Sequence, residues 1–121
     1  MSEEQDAADV LARLYATIVS RKGGDGEKSY TASLLAGGPK AICRKIGEEA
    51  IEVSVEGLKG DKPAIMRESA DLIYHLMVLW VDAGVRPDDV WAELARREGI
   101  SGHQEKAARG VGPETGGEGE D

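Results

Sequence analysis

Residues 39–59 read PKAICRKIGEEAIEVSVEGLK, and residues 61–84 read DKPAIMRESADLIYHLMVLWVDAG. Pro39 suits the first turn of a helix, where its missing N–H costs nothing. At about 100° per residue, Lys45, Glu48, Glu49, Glu52 and Glu56 fall within roughly 60° of one direction. Ile42, Ile46, Ala50 and Val53 line one flank of that stripe, and Ile51 and Val55 the other. Most acidic stripes are simply solvated. An acidic band between two apolar bands instead predicts a cleft wall, on a helix from about Pro39 to Lys59. Asp61, with Pro63 in the first turn, predicts the start of a second helix that ends at Gly84. From Ile65 to Val81 that helix is apolar nearly all round, the pattern of a core element. Yet Glu68 and Asp71 share one of its faces, with His75 one turn further on.

Clustered carboxylates repel, and the repulsion grows when they are desolvated. Buried without partners, they need cations or protons. Arg67, Lys45 and Lys62 are too few bases for so many acids. A divalent metal resolves the conflict. Mg²⁺ prefers hard oxygen ligands and commonly joins carboxylates to phosphates. His75 then reads as a packed or hydrogen-bonded core histidine, since magnesium favours oxygen over imidazole.

The rest of the chain is also helical in pattern. Ala7, Val10, Leu11, Leu14 and Ile18 make one apolar stripe on a helix from Gln5 to Ser20. Gly23, Gly24 and Gly26 end it. A short helical piece, Ala32–Ala36, precedes the break at Gly37 and Gly38. A last helix runs from Pro87 to about Glu98, with Asp88 and Asp89 at its start and Arg96 and Arg97 at its finish, each matching the helix dipole. Residues 110–121, GVGPETGGEGED, hold four acids, no bases and five glycines, and are expected to be disordered. The expected fold is all-α: a four- to five-helix bundle over residues 1–109, followed by the tail. The two central helices are apolar around too much of their circumference for one chain to cover, so pairing into a homodimer is expected.

Composition narrows function by exclusion. The 121 residues carry 15 Lys plus Arg against 23 Asp plus Glu, a formal charge of −8, which disfavours a nucleic-acid binder. The one cysteine, Cys43, rules out a disulfide framework and a Cys-based zinc site; it reads as a small packed residue. No apolar run approaches a membrane span, and MSEEQDAADV lacks a secretory pattern, so a cytoplasmic location is expected. The Gly23–Gly26 loop lacks the Gly-Lys-Ser/Thr of a P-loop. His103 reads as a surface residue, and Trp80 and Trp91 as core or subunit-contact residues.

Glu48-Glu49-x-x-Glu52, then fifteen residues, then Glu68-x-x-Asp71, resembles the acidic signature of the all-α nucleotide pyrophosphohydrolases. Ser29-Tyr30-Thr31, Gly38-Pro39-Lys40, Lys45 to Glu52, Glu68 to Leu76, and the closing Gly99-Ile100-Ser101-Gly102 with Glu105-Lys106-Ala107 resemble the phosphoribosyl-ATP pyrophosphatase family more narrowly. The resemblance implies Mg²⁺-dependent hydrolysis of 1-(5-phosphoribosyl)-ATP to 1-(5-phosphoribosyl)-AMP and pyrophosphate. That is the second step of L-histidine biosynthesis, performed by homodimeric helical bundles.

On this reading Glu49, Glu52, Glu68 and Asp71 are the metal ligands, two from each helix. Glu48 orients or deprotonates the attacking water, or holds a further Mg²⁺. Lys40 and Lys45 are candidates to meet phosphates as point charges, as is Lys106 from the closing segment. Ser29, Tyr30 and Thr31 offer hydroxyls to the nucleotide. Ordinary alternatives are that Ser29 caps a helix and that Lys45 only pairs with Glu49. Two rival functions stand beside this one: a related pyrophosphohydrolase acting on other nucleoside triphosphates, and a non-enzymatic helical dimerisation module with a structural cation.

Overall fold

A two-residue connection, Gly60-Asp61, joins the two helices quoted above. In the computed structural model, which describes residues 3–100 together with 102, 106, 107 and 109, those helices are α2 (Tyr30–Lys59) and α3 (Lys62–Ala83). They are preceded by α1 (Glu3–Ser20) and followed by α4 (Pro87–Arg97). No strand occurs among the described residues. The expected tail, 110–121, and His103 lie outside them.

The termini of α2 and α3 are set locally. Ser29 Oγ accepts from the Ala32 N–H at 3.1 Å and caps α2. Gly60 adopts φ 75°, ψ 21°, and its N–H reaches the Glu56 and Gly57 carbonyls, closing α2. Asp61 Oδ1 accepts from the Ala64 N–H at 3.1 Å and opens α3. So short a link leaves the two helices antiparallel neighbours.

The expected break at Gly37-Gly38 is present as a kink inside α2. Gly38 takes φ 77°, ψ −168°, a region essentially reserved for glycine. A Cβ on Gly37 would come within 2.8 Å of the Ala41 Cβ. Pro39 restarts the helix beyond the kink, so the short piece expected at Ala32–Ala36 is the head of α2, beginning earlier, at Tyr30.

Ile18 of α1, Leu34, Leu35 and Ile42 of α2, and Met77, Val78 and Val81 of α3 form the core. Each such burial contributes about 1.5–3 kcal/mol. Tyr15 Oη donates to the Val85 carbonyl at 2.9 Å, pinning α1 to the segment after α3. One expectation needs correction: α3 is not buried all round. Met66 is 71 % exposed and Ile73 43 %. Cys43 is also exposed, not packed.

Backbone contacts group the chain into two compact units, one up to Pro87 and one from Asp88. In the second unit α4 ends at Arg97, one residue before the expected limit, and Gly99 turns the chain with φ 78°.

Candidate active site

The tight α2–α3 turn decides which carboxylates meet. At about 1.5 Å per residue, Glu52 and Glu49 lie roughly 12 and 16 Å before Gly60, and Glu68 and Asp71 roughly 10 and 15 Å beyond Asp61. The two pairs are therefore level. Carboxylate oxygens of Glu49, Glu68 and Asp71 all lie within 4.8 Å of one another. Glu49 is buried, Glu68 half-buried and Asp71 exposed, so the cluster grades from core to solvent. Glu52, expected as a fourth ligand, is exposed and falls outside that trio, although it is the neighbour that most influences Glu68.

Glu49 Oε1 and Glu68 Oε1 are shielded from solvent and have no hydrogen-bond partner. Such oxygens cost free energy unless a proton or cation joins them. The Glu68 carboxyl is accordingly held above the usual carboxylate range. The hydrogen bond with Glu52 is the largest cause, followed by burial and by the charges of Glu52, Asp71 and Glu49. An all-oxygen set with unpartnered buried atoms fits a hard divalent cation.

Lys45 borders the cluster. Its Nζ lies 3.2 Å from Glu48 and 3.6 Å from Glu49. The Glu48 bond raises the lysine further above its ordinary value. Glu48 itself is half-exposed and stands outside the trio. Glu56, at the far end of the stripe, pairs with Lys59 at 3.9 Å.

The three hydroxyls of Ser29, Tyr30 and Thr31 are all engaged within the chain. Ser29 caps α2, as its ordinary alternative had it. Tyr30 meets His75 Nε2 at 2.9 Å, and Thr31 meets the Tyr74 hydroxyl. His75 is buried and hydrogen-bonded, as expected of a core histidine. Tyr74 and the Tyr30–His75 link escaped the sequence reading. The available signal was a Tyr-His pair inside an otherwise apolar helix, since buried hydroxyl and imidazole groups need partners. Ser29, Tyr30 and Thr31 also line a cavity of about 480 Å³ with Arg21 and Lys28.

One lysine of the first unit is placed elsewhere. Lys40 lines a different cavity, of about 600 Å³, with Gly37, Ala41, Cys43 and Arg44. Lys106 is helical and belongs to the second unit; Ser101 and Glu105 lie outside the described residues.

Fold and site together define a class: an all-helical protein whose α-helical hairpin carries a carboxylate pocket suited to a hard cation. The sequence model of the family described as "Phosphoribosyl-ATP pyrophosphohydrolase" matches residues 11–98. The "Phosphoribosyl-ATP pyrophosphatase" of Azospirillum brasilense is 57 % identical over 109 residues, 90 % of this chain and 98 % of that protein. Proteins of the same name from Gluconobacter oxydans (strain 621H) and Rhodospirillum rubrum are 55 % and 54 % identical. Those matches cover 83 % and 84 % of this chain, and 75 % and 86 % of the two relatives. The chain belongs to the phosphoribosyl-ATP pyrophosphohydrolase family.

Proposed function

We propose that this chain hydrolyses 1-(5-phosphoribosyl)-ATP to 1-(5-phosphoribosyl)-AMP and pyrophosphate, the second step of L-histidine biosynthesis, in the cytoplasm. One observation supports the site most strongly: in a member of this family, carboxylates from two helices converge within 4.8 Å with two shielded oxygens unpartnered. Residues 1–109 are the working domain.

Glu49, Glu68 and Asp71 hold Mg²⁺, with Glu52 joined to them through Glu68. The bound ion supplies positive charge for the phosphates and lowers the pKa of a water. Glu48, at the half-exposed rim, orients that water or takes its proton. Water adds to a phosphorus of the α–β anhydride, the anhydride P–O bond breaks, and pyrophosphate leaves. Lys45 turns from Glu48 towards the phosphates as they arrive, neutralising charge that the acids would otherwise repel. Ser29, whose oxygen already accepts from a backbone N–H, still has its proton to donate into the adjoining cavity, where Arg21 and Lys28 favour an anionic group. Lys40 and Lys106 are assigned to phosphates on family resemblance alone.

The assembly is a homodimer on this reading. Ile51, Val55 and Leu58 on α2, with Met66 and Ile73 on α3, are exposed apolar side chains that a second copy covers. Sedimentation should give twice the chain mass at micromolar concentration, and a monomer would refute the pairing.

Pyrophosphate release from phosphoribosyl-ATP, measured beside a panel of nucleoside triphosphates with and without Mg²⁺, tests the activity. Release from phosphoribosyl-ATP alone, and only with the ion, is expected. Preference for another triphosphate would move the chain to a different substrate. No release from any would leave the helical dimerisation module.

A further inference from the structure

Lys45, Lys59, Arg96 and Arg97 each pair with a glutamate of their own helix. Arg21 and Lys28 do not: neither side chain forms an ion pair or a hydrogen bond among the described residues. Both line the cavity of about 480 Å³ where the loop after α1 meets the head of α2. In a chain of formal charge −8, two cations gathered in one concavity without a carboxylate partner suit an anion from outside. The acid in the same wall, Asp25, is already engaged, its Oδ1 accepting from the Glu27 N–H at 2.9 Å.

Backbone bonds shape this cavity before any ligand arrives. The Gly24 N–H donates to the Arg21 carbonyl at 2.9 Å, and those of Lys28 and Ser29 donate to the Asp25 carbonyl at 3.1 and 3.0 Å. A Cβ on Gly24 would come within 3.0 Å of the Arg21 carbonyl oxygen and 3.7 Å of the Ala32 Cβ, so glycine lets the loop turn this close to α2. Further donors complete the wall. The first N–H groups of a helix have no acceptor within it. Ser29 Oγ takes that of Ala32, and those of Tyr30 and Thr31, both wall residues, remain for an outside acceptor. Two cations, these N–H groups and the Ser29 hydroxyl match a phosphate monoester, with its three acceptor oxygens and charge of about −1.5 to −2.

Tyr30 connects this cavity to the carboxylates. Its hydroxyl lies 2.9 Å from His75 Nε2, and His75 Nδ1 lies 2.7 Å from the Asp71 carbonyl oxygen. One tyrosine side chain, one imidazole ring and two hydrogen bonds therefore separate the cavity wall from the backbone of Asp71. In 1-(5-phosphoribosyl)-ATP, two riboses and a purine separate the triphosphate from the monoester, a comparable span.

We propose that this cavity takes the 5-phosphate of the substrate's phosphoribosyl group, and that Arg21 and Lys28 thereby select phosphoribosyl-ATP over ATP. This rests on the reading of the chain as a phosphoribosyl-ATP pyrophosphohydrolase. The substrate is anionic at both ends. Its triphosphate goes to the cation at Glu49, Glu68 and Asp71, whereas the monoester needs positive charge from the protein itself. ATP carries no such monoester, so contacts made here add affinity to one nucleotide alone.

Ribose 5-phosphate is the probe for the first test, which needs no activity. In ¹H–¹⁵N spectra of the full chain it should shift the amides of Gly24, Ser29, Tyr30 and Thr31, and ribose should not. The double variant Arg21→Gln, Lys28→Gln should abolish the shifts; both residues are exposed, so its spectrum should otherwise be that of the folded wild type. Absence of shifts at these amides, or equal shifts from ribose, overturns the proposal. The second test is steady-state kinetics. Arg21→Gln should raise KM for phosphoribosyl-ATP by about tenfold to a hundredfold, the worth of a hydrogen bond to a charged group. The loss should fall on KM rather than kcat, because the monoester is not at the bond that breaks. Lys28→Arg, which keeps the charge, should lose far less than Lys28→Gln. Ribose 5-phosphate binding with KM unchanged in every variant would assign the cavity to a separate phosphate compound and overturn the proposal. A wild type that releases no pyrophosphate from phosphoribosyl-ATP would instead sink the reading on which it rests.

Discussion

Glu68 on α3 and Glu93 on α4 are helical glutamates pushed in opposite directions. Glu93 bonds Arg96 at 2.7 and 3.2 Å and Arg97 at 3.0 Å, and these guanidiniums hold its carboxyl down at about 2. Glu68 faces Glu52, Asp71 and Glu49, and is held above the ordinary range. An acid among bases completes its helix with no outside help. An acid among acids is incomplete until something positive arrives. The same residue type thus sits on a solvated helix face in one unit and in a crowded carboxylate cluster in the other, and its neighbours carry the difference.

Replacing Glu49 by Gln breaks the acidic side of this contrast most sharply. It removes a buried charge at nearly constant size. Pyrophosphate release should fall by more than about a hundredfold, while thermal unfolding of the metal-free protein should shift little or upward. A fully active Glu49→Gln at limiting Mg²⁺ would remove that residue from the site.

Glu68 sharpens the comparison through pH. Its folded value is raised, so its contribution to stability is present below the ordinary carboxylate range and lost as pH rises through the raised value. Without metal the protein should therefore lose stability over that rise. Glu68→Gln should flatten the profile and abolish activity together. Mg²⁺ at a hundred times its Kd should restore about 2.7 kcal/mol to the native protein, read as a higher Tm. A metal-free profile unchanged by Glu68→Gln would show that the carboxyl is not strained.

Gly38→Ala probes the scaffold between these extremes. Its backbone conformation should cost alanine about 1–3 kcal/mol, measured by urea unfolding. Glu93→Gln should be the mildest change. The Glu93 carboxyl is lowered, so its stabilisation is present above pH 4.5 and disappears as pH falls towards 2. Thermal melts of the wild type and this variant should converge there, and also in high salt, since the pair is exposed.

Much of the fold was legible because its signals are local. Asp61, Pro63, Gly84 and the Gly37-Gly38-Pro39 break each act within a turn of their own position. The convergence of Glu49, Glu68 and Asp71 was legible too, because i, i+3 spacing on two helices and a two-residue turn leave little freedom, whereas Glu52, expected beside them, falls outside the trio. Burial was harder to read. Cys43 has Lys40 and Gly47 as helical neighbours, and it lies about 100° around α2 from the fully buried Ile42, which carries it out of the core. Met66 and Ile73 belong to an apolar pattern that one chain does not bury. The Tyr30–His75 and Thr31–Tyr74 links were illegible for another reason: 45 and 43 residues separate the partners, and only packing brings them together.

The most direct measurement is a crystal structure of the full chain grown with Mn²⁺ in place of Mg²⁺, with data collected at the manganese absorption edge. The account predicts an anomalous peak between the carboxylates of Glu49, Glu68 and Asp71. A peak bound elsewhere, or an active protein with no metal at those three side chains, would contradict it.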